Sequence, residues 1–526
     1  MEVVVPRLFA STKIALLTLC LVMPSTDSFG QSDLSDEELT LLKVVSGIHA
    51  TFQQYASDIW PGYDLSTTPY VVYLPDQWAL YLNAKEVPEG FETYPTDWPD
   101  IGPSACMHPG RYKDLVGQFA FHFQIDSVMT FAMGMPSELL FSFSNPSYTL
   151  FSNTIHEGFH QYQFDHFGDI PWAREETYPI LNVENTALAS LEMHILKDAL
   201  VALYDGHRGK TEEVLKEFAA VRRHRWMRSG DFIRRYEQGQ DINEGTARYV
   251  EMRATDCFSR LNVEEKNIPL LSALAEDMAD IHMPDLLIED IDSRLTGVSV
   301  APDDMLRNRI YPVGATLGFL LDSLHIDWKT KFQGGGSEIS FSQLILQHFN
   351  LDTDYLEEYV DKARTGYGYE DILAGADHLI GEYVSSYEEA REEFDNERGI
   401  KVQIQLPSSG VRRFRSTKEQ KWVTEEGEVI LYLHYNLYSL KSDNVVLEIH
   451  NKALLDESDW EQGTRTVTFF SQNISSVIAD ASVYSLSEDF EHSFDKIEVA
   501  GDDFTLQAEV EGNVSFAHNR MKITLE

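Results

Sequence analysis

The sequence predicts an α+β fold: a mixed N-terminal sheet joined to a mainly helical part, then an antiparallel β-sandwich-like domain. Three observations lead there. β-like runs dominate from Tyr70 to Phe143, long amphipathic helical runs fill Pro146 to Phe394, and short β-rich segments separated by turn clusters follow Ile400. The predicted organisation is an export signal over 1–30, a sheet-and-helix domain over 31–395 and a β-rich accessory domain over 396–526.

At the start of the chain, Arg7 and Lys13 precede the apolar run Ile14 to Met23, and Ser28-Phe29-Gly30 offers small residues where a signal peptidase looks. Cleavage is expected before Gln31, which places the protein outside the cytoplasm, secreted or periplasmic. The run is too short to cross a hydrocarbon core, which needs about 20 apolar residues, and no later stretch is long enough either. Leu39, Leu42, Val45, Ile48 and Phe52 recur at helical spacing until Pro61-Gly62 and Pro69 break the pattern. Strands are expected over Tyr70–Leu74, Trp78–Leu82, Phe119–Ile125, Ser127–Met133 and Leu139–Phe143. Helices are expected over 184–204, 211–236, 243–258 and 314–324. Gly334-Gly335-Gly336 reads as a surface loop, since no strand leads in and no lysine follows. The charge-dense stretch Glu388–Arg398 reads as a linker, or equally as the solvated end of a last helix.

Charge excludes one class of function. The chain carries 42 Lys plus Arg against 85 Asp plus Glu, a net charge of −43, and such a surface repels phosphate and anionic headgroups. A nucleic-acid partner is not expected. With 43% hydrophobic and 12% aromatic residues the chain is nonetheless rich enough to bury a core, so the acid is a solvated coat. Beyond the leader only Cys106 and Cys257 remain; they read as buried thiols rather than a disulfide framework, with pairing left open.

One segment carries chemistry: Ser152-Asn153-Thr154-Ile155-His156-Glu157-Gly158-Phe159-His160. On a helix, His156 and His160 stand about 40° apart and about 6 Å along the axis, so both can grip one ion. Glu157 falls beside them, able to reach a water on that ion without being a ligand, the general-base position of zinc hydrolases. Such a site needs a third protein ligand and an open fourth position. Glu244 leads the candidates, because Gly245 and Ala247 are small enough to let its helix approach the motif helix. Glu184 or Glu192, with His194 nearby, are alternatives. His166 is another, but the zinc-protease spacing it matches needs glycine where this chain has Gln163.

The pair His156-Glu157-x-x-His160 and Asn243-Glu244-Gly245-x-Ala247-x-Tyr249 resembles the gluzincin clan of zinc metallopeptidases, in which an N-E-G-x-A-type helix supplies the glutamate ligand. Similar pairs mark alanyl aminopeptidase-like enzymes. Trp60-Pro61-Gly62-Tyr63-Asp64 and the segment Tyr311 to Gly318 are similar to uncharacterised exported bacterial proteins with the same zinc motif. The resemblance implies a zincin-like catalytic domain over 31–395, Zn²⁺ held by His156, His160 and Glu244, and Glu157 as general base and acid. It also implies that the strand before the motif helix pairs with an extended peptide. Two departures stand out. The stretch between His160 and Glu244 requires a helical insertion, and Arg248 occupies the place where thermolysin-like members keep an aspartate that orients a zinc histidine. Another acceptor must do that, with Glu184 and Glu192 as candidates. No segment of the type that binds a free amino terminus is present, so aminopeptidase specificity is unsupported.

The expected activity is hydrolysis of peptide bonds in a peptide or protein substrate by metal-activated water, with Glu157 moving the proton. A neutral donor should steady the oxyanion, and Tyr249 and Tyr311 are the candidates. Two other readings stay open: a zinc hydrolase of a non-peptide bond, and a secreted binding protein on a degenerate scaffold. Oligomeric state is not legible.

Overall fold

The structure, a computed structural model, describes residues 34–526 except 97, 113–119, 126–127, 135–139, 172, 174, 176–177, 267, 335–338, 352–355, 410–411 and 424–426. The expected export signal and the glycines at 335 and 336 lie outside the described residues. The architecture is mixed α+β.

Helix α1 (Asp36–Ile59) starts on a reciprocal cap: Ser35 Oγ accepts from the Glu38 amide at 3.2 Å, and the Glu38 carboxylate accepts from the Ser35 amide at 2.7 Å. Strands β1 (Tyr70–Leu74), β2 (Trp78–Leu82), β3 (Glu92–Thr93), β4 (Ala105–Pro109), β5 (Ala120–Ile125) and β6 (Val128–Gly134) form one sheet in the order β3-β4-β2-β1-β6-β5. Every residue of β1 and β2 is buried. Alternation explains this: Tyr70, Val72 and Leu74 face the helices, while Val71 and Tyr73 join Tyr81, Phe91 and Tyr112 in a smaller core on the other face. Strand β6 pairs with β1 in parallel and with β5 antiparallel. The strand before the motif helix is therefore internal rather than an edge strand; the sheet ends at β3 on one side and β5 on the other. Phe141 to Ser144 form a turn rather than the expected strand, with Phe141 and Phe143 exposed, while Leu139 lies outside the described residues.

The helical part follows. Asn145 caps α2 (Pro146–His166), accepting from the Tyr148 amide at 2.9 Å, and Pro146 takes the first turn, where its missing N–H costs nothing. Helices α3 (Val183–Tyr204) and α4 (Arg208–Ser229) pack as an antiparallel pair, and Gly230, at φ 92°, ends α4 and splits the predicted run 211–236. Then come α5 (Asp231–Gln240), a π-helical turn (Asp241–Gly245) and α6 (Thr246–Ser259). After α7 (Val263–Lys266), α8 (Pro269–Asp277) and α9 (Met283–Asp292), helix α10 (Ile310–Ser323) returns against α6. The long α14 (Tyr369–Asp395), which follows α11 (Lys329–Gly334), α12 (Phe341–His348) and α13 (Leu356–Gly366), overturns the linker reading of Glu388–Arg398. Tyr387 and Phe394 bury against Leu431, Leu455 and Phe470, so the dense charge is the wet face of an anchored helix.

After a two-stranded hairpin of β7 (Leu295–Thr296) and β8 (Ser299–Val300), the C-terminal strands run from β9 (Ile400–Pro407) to β21 (Arg520–Leu525) and are antiparallel throughout apart from the parallel pair β9–β21. The long β11 (Gly427–Lys441) pairs with β13 (Leu454–Asp459) through its first half and with β12 (Val445–His450) through its second. The ladder divides there into two leaves, and residues of both, such as Val402, Ile404, Leu447 and Leu506, meet in one core. Cys106 and Cys257 are buried and unpaired, Cys106 on β4 opposite Tyr81 of β2, with Sγ 3.7 Å from the Tyr81 carbonyl. No described helix is long and apolar enough to cross a membrane.

Candidate metal centre

Helix α2 presents both motif histidines on one face, and the π-helical turn presents Glu244 to them. His156 Nε2 and His160 Nε2 lie 3.1 Å apart, and Glu244 Oε2 lies 3.4 Å from the first and 3.3 Å from the second. A tetrahedral ion holding ligands at about 2.0–2.2 Å keeps them about 3.3–3.6 Å apart, so this triangle fits a zinc-sized ion. These three residues can hold a metal ion.

The ring protons show the same design. His156 Nδ1 lies 2.8 Å from Glu251 Oε2, an acceptor, and His160 Nδ1 lies 2.7 Å from Gln163 Oε1. With Nδ1–H donating outward in each ring, both Nε2 lone pairs face one spot beside a carboxylate, an arrangement that needs a cation. Burial lowers the His156 pKa, but hydrogen bonds to Glu244 and Glu251 outweigh it and hold it up at about 9. Burial would raise Glu244, yet the two histidines hold its carboxyl well below the ordinary range.

Neither supporting residue was foreseen. Glu251, 2% exposed, does the orienting, and Arg248 from the previous turn pairs with it and with Asp290 Oδ2 at 2.8 Å. The residue that broke the thermolysin-like pattern thus steadies the replacement. Gln163 is buried as well: its Nε2 donates to the Ile242 carbonyl at 3.0 Å, the Asn243 carbonyl at 2.8 Å and Thr246 Oγ1 at 2.8 Å. One amide therefore sets the His160 tautomer and ties α2 to the turn that carries Glu244. Glu251→Gln should weaken zinc binding by about 10-fold or more, read by competition with a chromophoric chelator. Affinity within twofold of wild type would detach Glu251 from the site.

The other candidates are placed elsewhere. His166 stacks on Tyr162 at 4.1 Å with Nδ1 on the Tyr162 carbonyl, turned off the histidine face. Glu184 pairs with Arg228 near the surface at 2.9 Å, and His194 meets the Val298 carbonyl at 2.9 Å. Glu192 is fully buried between Arg222, at 2.8 Å, and Arg225, at 2.7 Å. Tyr249 does not reach the site. Its ring packs among Trp60, Phe319 and Trp328, and its hydroxyl donates to Asp322. Tyr311 does reach it: its ring centre is 5.8 Å from that of His156, and it lines the cleft with Glu244, whose charge acts on its hydroxyl. Burial and the Glu244 charge push its pKa up, so it stays protonated at neutral pH.

Glycines make the approach possible. A Cβ on Gly314 would stand 2.3 Å from Gly245 Cα, so α10 touches the Glu244 turn backbone to backbone and delivers Tyr311. The small residue at 245 thus serves α10, not the motif helix as the sequence suggested. Within the motif, a Cβ on Gly158 would meet the Tyr63 hydroxyl at 2.8 Å, and that hydroxyl donates to the Ile155 carbonyl at 3.0 Å. The Trp60–Asp64 segment is a brace for α2.

The ligands open onto a cleft of about 800 Å³ lined by Glu157, His160, Glu244, Arg307, Tyr311 and Phe164, among others. Beneath it lies a buried ionic cluster. Glu237 accepts from Arg225 Nη2 at 2.5 Å, Trp226 Nε1 at 2.7 Å, Tyr178 Oη at 2.6 Å and Arg309, while Asp241 pairs with Arg222 at 2.6 Å. Asp241 opens the Glu244 turn and Arg309 precedes Tyr311, so the cluster anchors both sides of the site. No protein-family model matches the chain, and no curated protein or solved structure matches it.

Proposed function

We propose that the protein is an exported zinc-dependent peptidase of gluzincin type, with a zincin-like catalytic domain over 31–395 and an accessory β domain over 396–526. The observation that carries this reading is the triangle of His156 Nε2, His160 Nε2 and Glu244 Oε2, with sides of 3.1 to 3.4 Å and both Nδ1 atoms engaged from behind. Zinc bound there supplies a Lewis acid and lowers the pKa of its water toward about 7.

The chain's residues do the rest. Glu157 lines the cleft next to the ligands, takes the proton of the attacking water and returns it to the leaving nitrogen. Tyr311, kept neutral, turns its hydroxyl from Glu244 to the oxygen that gains charge. Glu251 and Gln163 hold the imidazoles with Nε2 forward. The acidic surface favours neutral or cationic peptides.

Digestion of a mixed peptide library separates the readings. Cleavage is expected with zinc, lost with a chelator and restored by added zinc. A zinc-loaded protein that cleaves no peptide but hydrolyses an ester or another amide would move the activity to a non-peptide bond.

A further inference from the structure

Arg307 stands in the cleft of about 800 Å³ with Glu157, Glu244 and Asp169. It is the one lysine or arginine among the described residues lining that cleft, in a protein of net charge −43. Its side chain is 54% exposed, so the charge is open to a ligand. Nε donates to Glu175 Oε2 at 2.7 Å, which fixes the plane of the guanidinium. Neither Nη carries a bond to a described residue, so the fork that can take a carboxylate by two parallel bonds is free. Arg307 and Glu244 line the same cleft. Phe164, 79% exposed on the last turn of α2, lines the same cleft with Phe167 and Ile170. An exposed aromatic wall and a preset cation in otherwise acidic surroundings suit a bulky apolar residue that carries a carboxylate.

We infer that Arg307 anchors the C-terminal carboxylate of the substrate, with Phe164 and its apolar neighbours receiving that residue's side chain, so the enzyme acts near the carboxyl end of peptides. The inference rests on the peptidase reading and makes Arg307 a specificity residue. An acidic side chain offers the same chemistry, but the apolar wall favours a chain terminus.

The test uses zinc-loaded Glu157→Gln protein, which binds without turnover, and calorimetry with three probes: acetyl-Ala-Ala-Phe as the free acid, the same peptide as its amide, and acetyl-Ala-Ala-Glu amide. The free acid is expected to bind at least about tenfold more tightly than its amide. Adding Arg307→Met should abolish that preference, and Arg307→Lys should restore part of it. In hydrolysis by the otherwise wild-type enzyme, Arg307→Met should raise KM for the free acid and leave kcat within about threefold. Equal binding of acid and amide, no binding of either, or a preference that survives Arg307→Met would overturn the assignment; the last outcome means that the metal takes the carboxylate. Tight, Arg307-dependent binding of the glutamate amide would move the anchor to side chains and overturn the terminal assignment. Failure of the peptidase reading shows separately, as a wild-type zinc enzyme that cleaves no peptide.

Discussion

Glu157→Gln should bind zinc as tightly as the wild type and hydrolyse its best peptide at least about 10³-fold more slowly in kcat. An amide keeps the shape and hydrogen-bonding reach of the carboxylate but cannot accept and return a proton. Glu157 is absent from the ligand triangle, so its replacement leaves His156, His160 and Glu244 in place. The decisive comparison is metal content and kcat on the same preparation. Wild-type turnover with zinc bound would remove Glu157 from the chemistry, whereas loss of zinc together with activity would make it a ligand.

Glu237→Gln should cost about 3–5 kcal/mol of folding stability, measured by denaturant titration. Glu237 is fully buried, and burial alone would raise its pKa; Arg225 and Arg309 override this and hold it well below 4.5. Removing its charge leaves the buried Arg309 without a carboxylate partner and Arg225 with Glu192 alone. The sign with pH follows from the depressed native value: the stabilisation is complete above the unfolded carboxyl pKa and is lost as pH falls toward the native one. The substitution should also weaken zinc binding, because Asp241 and Arg309 flank Glu244 and Tyr311 in the chain. A loss below about 1 kcal/mol would contradict the anchoring role given to the cluster.

The chemistry-bearing helix was legible in the sequence because spacing alone brings His156 and His160 to one face; Glu244 was reached through its small neighbour Gly245, whose close contact is with Gly314 of α10 and not with the motif helix. The supporting shell was less so. On a helix Glu251 lies about 20° from Glu244 in projection while Tyr249 lies about 140° away, so helical period alone would have placed Glu251 near the site and Tyr249 in the core. Gln163 was read as a missing glycine, which hid what its own amide does between two elements. Glu192 looked like a free acid on α3 because its arginine partners come from α4, a pairing that no local pattern announces. Arg307 sits in a turn before α10 and belongs to the site only through tertiary packing. The α+β character and the antiparallel C-terminal sheets followed from periodicity. The edge position of β5 did not, since strand order is a property of the whole sheet.

The most direct test of the central claim is the metal content of the purified, dialysed protein by plasma mass spectrometry, alongside His160→Ala. About one zinc per chain is expected in the wild type, removable by chelation and restored by added zinc, and almost none in the variant. A well-folded wild-type protein that neither carries zinc nor takes it up, or a variant that binds it equally well, would contradict the account.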